Sequence, residues 1–409
     1  MQRRDLLKFI SVAPLVGGTV GRSGLKTGPA NAPTYGVAGR DLFKEFGIRT
    51  FINGRGTITA MSGSLMHDEV LDAIRGTSRN FCMLDEVQDK IGAKIAELCH
   101  AESAVVTSGA FSALTLGLAG ILTGTDEEKV RQLPHLEGTG MKSEVICQRG
   151  HDIAYNHAFL NTGCKIVMVD TVAELRNAIN EKTAMMFFLN INTDNGQIKH
   201  EQWIEIAREH QIPTLIDIAA DVPPVENLWR FNDMGFDVVC VSGGKAMRGP
   251  QSAGLLMGRK HIIDGARLSM PPRGFNIGRG MKVNKEEIFG MYVALERFIN
   301  EDHDKTWKDW EDRTAHVADV VKQVAGVTTE VTVPKLGNIT PNLHISWDEA
   351  QIPLTGIELA DRLRSGSPSI EIVGQRGNRV WLTVWMMQPG EEKVVAQRIR
   401  EELRNAANG

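Results

Sequence analysis

Between residues 100 and 260 short β-rich runs alternate with helical patterns, and this alternation restricts the fold more than any other feature of the chain. A parallel sheet with crossover helices requires such a pattern. The spacing predicts strands over residues 104–107, 144–148, 165–169, 184–189, 214–217, 238–241 and 254–257, with helices such as 112–122 and 202–210 between them. The run Ala184-Met185-Met186-Phe187-Phe188-Leu189 is apolar at every position, as in a strand covered on both faces. After residue 283 the pattern changes. Ile288, Met291, Tyr292, Leu295 and Phe298 fall at helical spacing, and the helix is expected to run on through 307–324. Alternating runs at 342–347 and 380–387, then a charged helix over 391–407, predict a small α+β unit. The expected fold class is therefore α/β: a large domain on a mostly parallel seven-stranded sheet, with a small α+β C-terminal domain.

The first residues, Met1-Gln2-Arg3-Arg4-Asp5-Leu6-Leu7-Lys8, precede an apolar run over 9–20. Spanning a bilayer takes about 20 apolar residues, so this run reads as a secretory signal and no membrane span is expected. The adjacent arginines resemble a twin-arginine (Tat) export signal, and Ala30-Asn31-Ala32 offers a small-x-small cleavage site. The expected location is the periplasm; a basic N-terminus with no address would leave the protein cytoplasmic. The chain then divides into 1–34 as signal segment, 35–70 as N-terminal segment, 71–282 as large domain, and 283–409 as connecting helix and small domain. A formal charge of −4 excludes a generic nucleic-acid binder, which carries a basic excess. The five cysteines include no CxxC pair, so neither a disulfide framework nor a zinc site is expected, and no metal is assigned.

The sharpest local signal is Val238-Val239-Cys240-Val241-Ser242-Gly243-Gly244-Lys245, followed by a Gly249-Pro250 turn into the next strand. A lysine held by glycines at the end of a sheet suits Schiff-base formation, because a desolvated ammonium loses its proton more readily. Asp217 ends the strand 28 residues earlier, where α/β sheets bind ligands, and an acid there would keep a pyridine nitrogen protonated. Ser108-Gly109-Ala110, leading from a strand into a helix, presents free amides and the Ser108 and Ser112 hydroxyls to a phosphate dianion. His151 follows another strand and is the first candidate to stack on a flat cofactor ring, with Tyr155 and His157 in reserve. Arg55, Arg149, Arg376 and Arg379 are candidates for a substrate carboxylate, which guanidinium holds bidentately.

Lys245, Asp217, the Ser108 turn and the His151 segment occur in the order found in pyridoxal-phosphate enzymes of the aspartate-aminotransferase fold, fold type I. More narrowly, Ile52-Asn53-Gly54-Arg55-Gly56-Thr57, Met83-Leu84-Asp85-Glu86-Val87-Gln88, Ser242-Gly243-Gly244-Lys245 and Gly249-Pro250-Gln251-Ser252 resemble the branch containing selenocysteine synthase and glucosaminate phosphate ammonia-lyase. The resemblance covers about residues 40 to 400. It implies pyridoxal 5'-phosphate as cofactor, with Lys245 as its aldimine lysine and Asp217 as pyridinium partner. It places Ser108, Gly109, Ala110 and Ser242 around the phosphate and His151 against the ring. It also implies a homodimer or higher homo-oligomer, in which the basic loop 269–282, with Arg273, Arg279 and Lys282, reaches a neighbouring subunit. A small amino-containing substrate is expected, with α-proton abstraction by Lys245 and β-elimination. Racemisation, transamination or aldol cleavage would begin in the same way. The −4 charge and the export signal make a tRNA partner unexpected. A cofactor-free exported binding protein is the alternative outside enzymology.

Overall fold

The computed structural model describes residues 40–409, so the proposed signal segment lies outside the described residues. The chain divides into two compact units, Met1–Thr50 and Phe51–Gly409. In the first, the described residues form one short helix, Leu42–Glu45, capped by the Asp41 carboxylate, which accepts from the Lys44 amide at 3.1 Å.

The second unit begins with β1 (Ile52–Asn53) and then builds one large sheet. Its strands are β2 (Ser103–Thr107), β3 (Glu144–Gln148), β4 (Lys165–Val169), β5 (Thr183–Leu189), β6 (Thr214–Asp217), β7 (Val238–Ser242) and β8 (Gly254–Gly258). They lie in the order β2-β8-β7-β6-β5-β3-β4. Every adjacent pair is parallel except the two made by β8. The seven strands fall where the alternation predicts them, to within a residue at each end. Strand β5 is an interior strand and buried throughout. Period-2 geometry sends Met186 and Phe188 into one core with Trp203 and Phe231, and Met185 and Phe187 into the other with Leu116 and Phe159. That is why this strand has no polar position after Thr183.

The C-terminal part carries β9 (Val327–Thr332), β10 (Asn342–Trp347), β11 (Ile370–Glu371), β12 (Val373–Gly374) and β13 (Arg379–Thr383). Four of them form an antiparallel sheet in the order β12-β13-β10-β9, backed by Gly356–Ser365 and the closing helix Glu391–Ala407. Two expectations change. The connecting helix is broken in two, Lys285–Ile299 and His303–Val321, because Asp302 takes an N-cap conformation and accepts from the Lys305 amide at 3.0 Å. The segment around residue 52 does not stand apart either. β1 pairs in parallel with β11, and Ile52 is buried in the small domain's core.

Candidate active site

The C-terminal ends of β2, β5, β6 and β7 converge on one crevice edge, as expected for an open α/β sheet. Past β7 the chain turns tightly. The Gly243 amide donates to the Ala253 carbonyl at 2.9 Å and the Gly249 amide to the Gly243 carbonyl at 3.0 Å. This loop presents Lys245, which is half-buried and whose side-chain amine makes no hydrogen bond or ion pair with protein among the described residues. Burial lowers its ammonium pKa, while Asp217, Asp221 and Cys240, all within electrostatic reach, oppose the shift.

Asp217 is 5% exposed, and its Oδ1 accepts from the Ala219 amide at 2.8 Å. No second protein donor reaches that carboxylate among the described residues. Burial raises its pKa, and the Ala219 amide and Lys245 oppose this. A buried carboxylate with one donor and an open oxygen is a site for a cationic N–H. Four residues on, Asp221 is buried too, and its Oδ1 has no hydrogen-bond partner. Burial, reinforced by Asp217, pushes its pKa up to about 7, while Asn190 and Lys245 pull the other way. The Asn190 Oδ1 in turn lies 2.8 Å from His200 Nε2.

The Ser108 turn meets the same place. Cys240 Sγ donates to the Ala110 carbonyl at 3.3 Å, tying β7 to the start of the helix Ala110–Thr123. Gly109 is the N-cap of this helix at φ 85°, a conformation glycine adopts freely, and it supplies no capping side chain. The first helical amides are left open to an anion. Ser108 Oγ donates to Ser112 Oγ at 3.0 Å, and Ser112 Oγ to the Ser108 carbonyl at 2.9 Å. Gly254 on β8 abuts the turn so closely that a Cβ there would lie 2.7 Å from the Gly109 carbonyl carbon. Ser242, the last residue of β7, is half-buried and pairs with Gly254.

The remaining candidates separate. His151 is fully buried, with Leu189 N–H donating to its Nδ1 at 3.2 Å and its ring edge-on to Phe188 at 4.5 Å. Its Nε2 has no partner. A ring enclosed in this way has no open face for stacking, which corrects the expectation; Tyr155 and His157 are exposed. Arg149 is exposed and paired with Asp170 at 3.0 Å, and Arg376 and Arg379 are exposed at the small-domain hairpin. These positions answer to solvent. Arg55 is the arginine that is drawn inward: its Nε is buried without a partner and its Nη1 lies 4.0 Å from Glu371. Arg273, expected to reach a neighbouring subunit, is held within its own chain by Asp85 at 3.1 Å. Four cysteines are buried and Cys82 is exposed. Asp221, Asn190 and Cys240 were not picked out as site residues. Asp221 was the findable one, since Asp-Ile-Ala-Ala-Asp places a second acid one short turn beyond the first.

Residues 73–271 match the aminotransferase class-V family model. The chain is 25% identical over 384 residues to D-glucosaminate-6-phosphate ammonia lyase of Salmonella typhimurium, covering 90% of this chain and 99% of that one. It is 24% identical over 376 residues to 5'-C-glycyluridine monooxygenase-decarboxylase of a Streptomyces species, covering 88% and 92%. L-seryl-tRNA(Sec) selenium transferase of Desulfotalea psychrophila is 24% identical over 282 residues, covering 62% of this chain and 58% of that one. A solved structure of D-glucosaminate-6-phosphate ammonia-lyase superposes with a TM-score of 0.78 at 24% identity, covering 90% of this chain and all of that one. No helix among the described residues is long and apolar enough to cross a membrane. Sheet order, family match and relatives agree: the chain has the fold type I architecture of pyridoxal-phosphate-dependent enzymes and is an enzyme of the lyase or transferase kind, similar to the ammonia-lyase and selenocysteine synthase branch.

Proposed function

We propose that this protein binds pyridoxal 5'-phosphate at Lys245 and acts as an ammonia-lyase on a small amino acid or amino-sugar acid. The observation that carries this reading is the Lys245–Asp217 pair. A half-buried amine without a protein partner, its pKa lowered by burial, stands within electrostatic reach of a buried carboxylate with one donor. The donor set fits the cofactor. The open amides after Gly109, with Ser108 and Ser242, match a phosphate, and the Asp217 carboxylate matches a protonated ring nitrogen.

When bound, pyridoxal phosphate supplies an aldehyde for an amine to condense with and a ring that takes up the electron pair left at the neighbouring carbon. The protein's own part is proton handling. Lys245 Nζ, its pKa lowered by burial, is the group that would accept the substrate's α-proton and hold it. Asp217 would be the partner of a protonated ring nitrogen, whose positive charge would offset the burial that raises the carboxyl's pKa. Arg55 is the substrate-carboxylate candidate that the geometry favours, because its guanidinium is drawn inward. Loss of the α-proton and a β-substituent, followed by hydrolysis, gives ammonia and a keto acid. The similarity to D-glucosaminate-6-phosphate ammonia lyase across nearly the whole chain supports this outcome over racemisation or transamination.

A homo-oligomer is part of the proposal: Phe81, Met83 and Phe275 are large apolar groups left exposed, and a second copy would cover such surface. So are export by the Tat-like segment and the absence of a tRNA partner. The test is spectroscopic. The purified protein with added pyridoxal phosphate should develop a visible absorbance band, and borohydride should fix the cofactor onto the peptide containing Lys245. A folded protein that takes up no cofactor would overturn the reading. A screen of amino acids and amino-sugar acids that scores ammonia, keto acid and α-proton exchange separately then fixes the reaction, and exchange without ammonia would replace elimination by racemisation.

A further inference from the structure

A cavity of about 330 Å³ lies against the turn that carries Lys245, walled by Ala246 and Arg248 just past the lysine and by Pro223 just past Asp221. Neither Lys245, Asp217 nor the Ser108 turn lines it. Its aromatic side is built from Trp307, Trp310 and Trp385, with ring centroids 6.1 Å apart for the first pair and 6.2 Å for the second. The second pair joins the connecting helix His303–Val321 to the small domain, so the cavity is a feature of the assembled tertiary structure.

The polar side is unbalanced. Arg248 is half-buried, and its Nε donates to the Leu65 carbonyl at 2.7 Å. Its Nη groups meet no acceptor and no carboxylate among the described residues. The acid on the same wall, Glu301, is already engaged by Arg297 at 3.1 Å and Thr306 at 2.6 Å. Glu226 and Asp304 are exposed. His67 is held down to about pKa 4, first by burial and then by Arg248 and Arg297, against the weaker pull of Glu301 and Glu69. At neutral pH it is uncharged and adds no charge of its own. Arg248 also sits at φ 52°, where a non-glycine residue is strained, and such strain persists where the surrounding structure over-determines a functional position.

We propose that this cavity is a binding site for a small organic anion, a carboxylate or phosphate monoester attached to a ring with a flat apolar face. Arg248 takes the anion through its free Nη donors, and the indoles take the ring, as aromatic faces do for sugar and aromatic rings alike. The site goes beyond the proposed lyase reaction and does not depend on it, because binding needs neither Lys245 nor the cofactor. Its place beside the lysine turn means that occupancy stiffens the loop from Lys245 to Arg248.

The probes lack an amino group, so they cannot react at the lysine centre: phenyl phosphate and benzoate for the aromatic class, glucose 6-phosphate for the sugar class. Benzyl alcohol, glucose and inorganic phosphate are the controls. Tryptophan fluorescence and calorimetry on the full chain should show saturable one-to-one binding of at least one ring-bearing anion, about tenfold or more tighter than its neutral or ringless control. Whichever ring class binds identifies the class of ligand. Lys245→Ala should bind the same probe unchanged, which separates this site from the fate of the lyase reading. Arg248→Gln should weaken binding at least about tenfold and Arg248→Lys should restore part of it. Trp310→Leu should erase the preference for the ring. The bound anion should also raise the His67 pKa read by NMR. Equal affinity in a folded Arg248→Gln variant, absence of saturable binding by all three probes, or an unmoved His67 in the saturated complex would each overturn the proposal.

Discussion

Replacing Asp221 with asparagine should stabilise the cofactor-free protein at alkaline pH and change little near pH 4. The Asp221 carboxyl is 2% exposed, with one oxygen lacking any partner, and its pKa stands at about 7 against an ordinary 3.8. The shift is upward, so the folded protein keeps a proton that the unfolded chain gives up. Below the unfolded pKa both states are protonated and the group has no effect on stability. As pH rises towards the folded value the unfolded chain alone ionises, and stability falls along that whole interval. Above about 7 the loss is complete; with about 3 units at 1.36 kcal/mol each it amounts to about 4 kcal/mol. Asparagine has the shape of aspartate and no charge to desolvate, so it removes this loss. The assay is urea unfolding of both proteins, stripped of cofactor, at several pH values from 4.5 to 8.5. The difference between them should grow with pH and level off above neutrality. A variant that is no more stable at pH 8, with the same pH slope as its parent, would refute the assignment of the buried proton to Asp221.

Lys245→Ala should retain the fold but lose borohydride-fixed cofactor and turnover, measured by peptide mapping and ammonia release. Gly254→Ala places a Cβ 2.7 Å from the Gly109 carbonyl carbon and 2.8 Å from the Ala110 nitrogen, so it should displace the phosphate turn. A titration should then show pyridoxal phosphate affinity reduced by about tenfold or more, since the turn supplies the proposed phosphate donors. Gln88 is buried and bridges both backbone groups of Val106, donating at 2.8 Å and accepting at 3.1 Å. Gln88→Leu leaves two buried peptide groups unpaired and should lower unfolding stability by about 2 to 4 kcal/mol in denaturant titrations.

The large domain was legible because its physics is local and periodic. A strand covered on both faces must be apolar at each position, and 184–189 announces itself for that reason. Lys245, Asp217 and the Ser108 turn were readable as candidates because each ends or follows a strand, and the C-terminal ends of parallel strands share one edge. The connecting helix was less legible: helical spacing continues through Asn300-Glu301-Asp302, and the capping bond of Asp302, rather than hydrophobic pattern, ends the register. His151 illustrates the opposite failure. Its place just past β3 is close in kind to that of Asp217 at the end of β6, yet packing against Phe188 encloses its ring.

The sequence by itself determined the α/β class and the strands and singled out Lys245 as a candidate, because these depend on period and on residue type near a strand end. Only the tertiary structure decided which charges are compensated. Arg149 lies beside Asp170, Arg273 beside Asp85 and Glu301 beside Arg297, while the Arg248 Nη groups touch no carboxylate among the described residues and face an aromatic wall drawn from the connecting helix and the small domain. Likewise Asp221 becomes a buried carboxyl only when β6 and β5 bring it to Asp217 and Asn190. Desolvation and pairing are properties of neighbours in space, and segments far apart along the chain supply those neighbours.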